Sequence, residues 1–266
     1  MLQATVLGKQ VYDITGRELD IGLLGLAEFL PAALLVLVTG SVADRFNRKI
    51  IGSIAIAGEL LCSVLLGLYA LSDPTAVWPL FVIAVLFGTF RAFAAPSVRS
   101  LPPMVAPDGA LPRTIALYSA TWTSAAIIGP ASGGLIYASS PALAYFVSAV
   151  LIGAGVAFLL AVKIARPFLK DQPKDPAEKV SLHTALAGLR FIRKTPILLA
   201  AISLDLFAVL FGGAVALLPA IAEDRLHVGD VAYGWLRAAP GIGAAIMAVI
   251  LASRPVTRRV GRTLLF

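Results

Sequence analysis

Stretches of about 20 apolar residues, each long enough to cross a hydrocarbon core of roughly 30 Å as a helix, recur along the whole 266-residue chain. Backbone polar groups find no water inside a bilayer, so such stretches must close their hydrogen bonds internally, and the chain is expected to be all-α. Seven complete spans are predicted, at about residues 21–39, 50–71, 77–95, 114–138, 142–164, 197–219 and 233–253. Residues 1–12 are apolar but too short to cross, with Lys9 inside them, and read as the second half of a further span. Composition agrees: 59% of residues are hydrophobic and 14% charged, against about a quarter charged in soluble domains. The mean hydropathy is +0.89.

The net charge of +7 does not point to nucleic acid, because the cations fall in short runs between apolar spans instead of covering one face. Their distribution orients the chain. One set of links carries Arg45, Arg48 and Lys49, then Arg99 and Arg113, then eight basic residues between Lys163 and Lys194, then Arg254, Arg258, Arg259 and Arg262. The opposite set holds little beyond Arg17 and Arg225, so the first set is expected in the cytoplasm, together with the N-terminal side of the chain. Cys62, the single cysteine, lies within an apolar span and reads as a small core residue. With only His183 and His227 beside it, neither a disulfide framework nor a metal site is expected, and no cofactor. The N-terminus shows no basic run or cleavage site of a signal peptide.

The longest link, 165–195, opens with Arg166-Pro167, Gln172-Pro173 and Asp175-Pro176. Ser181 can then cap a helix whose Leu182, Leu186, Leu189 and Ile192 share one face, suited to the headgroup layer. This link separates residues 1–164 from 196–266, and the two parts bear traces of repetition. Gly22-Leu23-Leu24-Gly25-Leu26-Ala27 compares with Gly234-Trp235-Leu236-Arg237-Ala238-Ala239, and the basic run at 45–49 with the one at 258–262. Similar elements one six-span unit apart are what parallel transporter repeats produce.

Gly40-Ser41-Val42-Ala43-Asp44-Arg45-Phe46-Asn47-Arg48-Lys49 stands between two spans. A topogenic loop requires cations, but not a glycine and an aspartate at fixed spacing. The decapeptide resembles the G-x-x-x-D-R-x-x-R-K signature of the major facilitator superfamily, in the loop where that family carries it. Gly129-Pro130-Ala131-Ser132-Gly133-Gly134 resembles the G-P-x-x-G-G element of the family's antiporters. Proline removes a helical hydrogen bond and glycines let a neighbouring helix approach, which gives a bent, tightly packed element. Val11-Tyr12-Asp13-Ile14-Thr15-Gly16, Phe29-Leu30-Pro31-Ala32 and Tyr233-Gly234-Trp235-Leu236-Arg237-Ala238-Ala239-Pro240 look like the branch that contains enterobactin exporters and macrolide-efflux proteins.

The resemblance implies two six-helix bundles, of which this chain would supply half of helix 1 through helix 8. They comprise an N-terminal bundle (1–164), a cytoplasmic linker (165–195) and the start of a second bundle (196–266). Two helices of a second bundle cannot enclose a midplane site, so a truncated chain without transport activity of its own is expected. The resemblance also implies gating roles for Gly40, Asp44, Arg45, Arg48 and Lys49 and a pivot at Gly129, Pro130, Gly133 and Gly134. Three carboxylates lie deep in spans: Glu28, Glu59 and Asp205. A charge there costs at least about 2.5–3.5 kcal/mol, so each must face a cavity, pair with a cation or take a proton. Glu28 and Asp205 are the first candidates for proton coupling or substrate recognition, because the second and seventh helices flank the cavity in the family, and Glu59 is the third. Arg91 and Arg237 lie toward span ends and read as cations whose side chains reach the interface. Arg91 lacks the following glutamine and glycine of the family's proton-antiporter motif.

No Walker loop, nucleophile elbow, HExxH or dinucleotide fingerprint is present, so an enzyme is not expected. The expected protein is a monomeric, multi-pass carrier of the cell inner membrane, exporting a small amphipathic drug or siderophore at the expense of the proton gradient. An importer of a nutrient or metabolite, and a non-transporting scaffold or sensor, remain as alternatives.

Overall fold

The computed structural model describes residues 1–107, 109–162, 192–211 and 215–253. Among them there is no strand. Helix α1 is Leu2–Thr15, α2 Glu18–Arg45, α3 Arg48–Ala70, α4 Trp78–Arg99, α5 the single turn Pro102–Val105, α6 Leu111–Tyr137 and α7 Pro141–Ala161. Beyond the linker follow α8 Pro196–Phe211, the short α9 Leu218–Ala220, a π-helical turn Ile221–Arg225 and α10 Asp230–Ser253. The amphipathic helix expected from Ser181 falls, up to residue 191, outside the described residues, as does the basic run after Ser253.

Local chemistry sets the ends. Gly16 closes α1 in the left-handed conformation (φ 60°) that glycine adopts without strain, its N–H donating to the Tyr12 carbonyl at 2.7 Å. The Asn47 side chain caps α3 by accepting from the Lys49 N–H at 3.0 Å. Ser140 caps α7, where Pro141 takes the first turn and gives up no needed donor. Prolines also stand inside α2 (Pro31), α4 (Pro96), α6 (Pro130) and α10 (Pro240), as membrane helices tolerate when neighbours cover the freed backbone groups.

Among the described residues four helices, Arg48–Ala70, Trp78–Arg99, Pro141–Ala161 and Asp230–Ile250, are long and apolar enough to cross a membrane. The 28-residue α2 spans about 42 Å at 1.5 Å per residue and begins with Glu18 and Asp20. One expectation changes shape. The span predicted at 197–219 is helical over 196–211, and Leu218–Ala220 is a separate turn that leads into the π-helical segment. Pro219 explains the new start, since proline suits the first turn of a helix and not its interior.

α1 is the hub. Leu2, Val6, Leu7 and Val11 meet Leu66 of α3, Leu80 and Phe87 of α4 and Tyr145 of α7 in one buried cluster. α3 packs on α4 and α7, α2 on α4, and α6 on α10. Large apolar side chains such as Leu34, Val150, Phe158 and Val249 are 70–74% exposed on the outer faces. A water-soluble protein rarely leaves so much apolar surface bare, whereas acyl chains cover it, and the chain is a multi-pass membrane protein.

Candidate functional site

The helix order fixes two ends of the molecule. The α2–α3 turn, with Asp44 to Lys49, lies at one; the α1–α2 turn, the π-helical segment and the start of α10 lie at the other. A cleft of about 660 Å³ runs between α2 and α4, from Gly25 and Gly88 in the middle of the bundle to Thr39 and Arg99 toward the Asp44 end. Gly25, Glu28, Phe29, Ala32 and Thr39 line it from α2, and Gly88, Arg91, Ala95, Pro96 and Arg99 from α4. It is therefore amphipathic, with one carboxylate and two guanidinium groups set among apolar walls. A Cβ built on Gly88 would stand 2.9 Å from the Glu28 carbonyl carbon, so this glycine lets the two backbones cross closely and places Glu28. Among the described residues neither Glu28 nor Arg91 makes a direct ion pair, although both line the same cleft.

Arg91 thus lines the cleft instead of reaching the membrane interface, a correction to the sequence expectation: α4 continues to Arg99, which puts Arg91 two turns inside the helix. Arg237 is corrected in the same way. Its Nη1 donates to the Tyr233 hydroxyl at 3.3 Å, and that hydroxyl donates to the Thr5 carbonyl of α1 at 3.0 Å, so Arg237 sits between helices.

Of the other sequence candidates, Glu59 is partly buried in α3. Asp44 and Arg45 end α2 and Asp205 stands in α8, and their side chains lie outside what is described. Lys49 Nζ donates to the carbonyls of Leu160 and Val162 at 2.7 and 2.9 Å, which places a cation on the C-terminus of α7, where unpaired carbonyls and the helix dipole favour it.

The Gly129–Gly134 element meets two helices at once. A Cβ on Gly129 would stand 2.7 Å from Met1 Cβ, and one on Gly133 3.4 Å from the Leu2 carbonyl oxygen, both on α1 or its first cap. A Cβ on Gly134 would stand 2.7 Å from Gly234 Cα, and one on Gly234 2.8 Å from the Pro130 carbonyl oxygen, so α6 and α10 touch backbone to backbone. Lower down, Gly241 faces Ala126, the residue whose carbonyl loses its helical donor to Pro130.

The sequence reading missed a charged group at the end opposite the cleft. Lys9 of α1, 7% exposed, pairs with Asp13 one turn on, with Glu223 at 3.1 Å and with Asp230 at 3.2 Å. Tyr12 donates to Asp224, Tyr137 of α6 donates to Asp13 at 2.5 Å, and Lys9 stands 6.0 Å from the centre of the Tyr137 ring. Further along α1, the Tyr145 hydroxyl donates to Gln10 at 2.6 Å and Ser63 donates to Gln3. The legible signal was Lys9 with Asp13 at i, i+4 inside an apolar helix, but the partners lie more than 200 residues away.

Comparison with known proteins places this architecture. The chain is 29% identical over 259 residues to the uncharacterized MFS-type transporter YfiS of Bacillus subtilis, covering 95% of this chain and 60% of that protein. It is 27% identical over 259 residues to the multidrug efflux pump Tap of Mycolicibacterium fortuitum, covering 92% and 61%. It is 26% identical over 183 residues to macrolide efflux protein A of Streptococcus pyogenes, covering 66% and 44%. The chain thus spans about three fifths or less of the length of these relatives. Because residues 4–266, nearly the whole sequence, match the profile of the Major Facilitator Superfamily, and the helices and motifs agree with it, the chain belongs to that superfamily.

Proposed function

We propose that the protein exports a small amphipathic molecule by alternating access, exchanging it for protons, with the Asp44 end facing the cytoplasm of the inner membrane. One observation carries this reading: an amphipathic cleft that reaches toward the Asp44 end, while at the opposite end α6 and α10 meet backbone to backbone at Gly134 and Gly234. A cleft toward one end with tight helix packing at the other fits one of the two states that such a carrier visits. The excess of lysine and arginine in the links at the Asp44 end supports the orientation. One relative is named a multidrug efflux pump and another a macrolide efflux protein, and both support export. Glu28, with Glu59 and Asp205 as further candidates, is the group proposed to carry the proton, and Arg91 balances its charge.

The test is expression of the intact protein in a bacterial strain stripped of its own drug pumps. Higher tolerance of macrolides or other amphipathic drugs, or greater siderophore secretion, is the expected result. Unchanged tolerance and secretion sinks the export reading, and uptake of labelled solute would favour an importer instead.

The Gly40–Lys49 segment supplies a second check. Asp44→Asn keeps the side-chain size and removes the charge. It is expected to slow transport about tenfold at unchanged protein abundance, as the loss of a charge-assisted hydrogen bond of about 1.5–3 kcal/mol would do. Wild-type transport in Asp44→Asn removes the gating role.

A further inference from the structure

We infer that Lys9, Glu223, Asp230 and the Tyr12–Asp224 pair form an electrostatic latch that holds the end opposite the cleft closed, and that this latch must break each time that end opens. The inference rests on the alternating-access reading above, and adds to it the residues that hold one of its two states.

Three features carry it. First, the bonds cross the molecule: Lys9 and Tyr12 belong to α1, while Glu223 and Asp224 belong to the π-helical turn and Asp230 to the first turn of α10. Elements on either side of the linker are thus joined by charge, next to the place where Gly134 and Gly234 join them by packing. Second, the bonds centre on one cation. Lys9 is almost fully buried and faces three carboxylates, so removing its single charge releases every ionic contact and leaves those carboxylates to repel one another. Third, the partners differ in exposure. The Lys9 side chain is 9% exposed but that of Glu223 is 53% exposed, so water can take over the Glu223 carboxylate as the contact parts. A bond that is firm when closed and cheaply rehydrated when open suits a reversible latch better than a permanent structural ion pair. Tyr137 holds Asp13 in place from α6, so the α1 half of the latch is oriented before the other half arrives.

The test reads closure directly and does not depend on transport. In a background in which Cys62 and every further cysteine of the intact protein are replaced by alanine, Ala238→Cys is introduced. Ala238 is 0% exposed and lies one turn beyond Gly234 on the same face of α10. The protein is reconstituted in lipid nanodiscs, where both ends are reachable, and the rate of labelling by a water-soluble maleimide is measured. With the latch intact, labelling is slow. Lys9→Met is expected to raise the rate about tenfold, since loss of the ionic contacts shifts the population toward the open form. Lys9→Glu combined with Glu223→Lys, which restores an opposite-charge pair in reverse, is expected to bring the rate back toward that of the parent.

Labelling in Lys9→Met as slow as in the parent overturns the latch, and so does a charge swap that labels as fast as Lys9→Met alone. If Lys9→Met does not fold, Glu223→Gln with Asp224→Asn opens the latch from its exposed side. Faster labelling in that variant supports the inference, and unchanged labelling overturns it. Failure of the export assay with the labelling shift intact would strike the proposed function and leave the latch standing.

Discussion

Gly134→Ala is expected to destabilise the protein by about 1–3 kcal/mol, the usual cost of forcing extra atoms into a well-packed core. The added Cβ would stand 2.7 Å from Gly234 Cα and 2.8 Å from Gly234 N, and would press on the Asp230 carbonyl oxygen as well. All three are backbone atoms, so no side chain can swing away, and relief requires α6 and α10 to part. Asp230 would move with them, which weakens its contact with Lys9. Gly234→Ala meets the Pro130 carbonyl oxygen at 2.8 Å and is expected to behave alike. Because both substitutions strain one contact, the double variant is expected to lose less than the sum of the two. Gly22 and Gly155 are the controls. A Cβ at either meets nothing within 4 Å, and alanine in mid-helix is favoured over glycine by roughly 0.5–1 kcal/mol, so these variants should match or exceed the parent. Thermal unfolding of the four single variants and the double in one detergent separates the cases. A Gly134→Ala protein as stable as Gly22→Ala would show that α6 and α10 do not touch as described.

Hydropathy located most of the helices because the bilayer imposes one length and one composition on every span. The predicted spans at 50–71, 77–95 and 142–164 differ from α3, α4 and α7 by a few residues at each end. The predictions faltered where polar chemistry interrupts that rule. Pro219 divides a segment whose hydropathy runs on without a break, and hydropathy does not register a missing N–H donor. Lys9 reads from sequence as a charge that disqualifies residues 1–12 as a full span, while in the fold it is a buried cation whose partners arrive from Glu223 and Asp230. Nothing in a local window reports a contact across 214 positions. Arg91 and Arg237 failed for a related reason. Distance from a span end suggested that they reach the interface, but whether an arginine points to lipid headgroups or into the bundle depends on the neighbouring helix. The glycines of the Gly129–Gly134 element were legible as close-packing residues, yet the identity of the helices they admit, α1 and α10, required the fold.

Glu28→Gln separates a residue retained for activity from one retained for stability. Glu28 stands on α2 in the cleft, and Gly88, three residues before Arg91 on α4, allows the backbone crossing that sets its place. Among the described residues it has no direct ion pair to stabilise its charge. A carboxylate inside the membrane region costs at least about 2.5–3.5 kcal/mol when ionised, and an amide of the same shape avoids that cost. The Glu28→Gln substitution is therefore expected to leave the thermal stability unchanged or raised, whereas a residue that merely tied two helices together would lose stability on the same replacement. Transport should move the other way. An amide cannot take up and release a proton, so substrate movement is expected to fall roughly 5- to 150-fold, the range of coupling free energies between sites. Proton movement driven by substrate should disappear with it. Arg91→Gln would leave Glu28 without its balancing charge and is expected to impair transport in the same direction, with Glu28→Gln/Arg91→Gln no worse than the worse single variant if the two groups act as a unit. Purified, reconstituted protein permits both readings on one sample: unfolding temperature, and substrate flux with a pH-sensitive dye inside the vesicles. Wild-type flux and wild-type proton movement in the Glu28→Gln protein would remove Glu28 from the coupling site and leave Glu59 and Asp205 to be tested in its place.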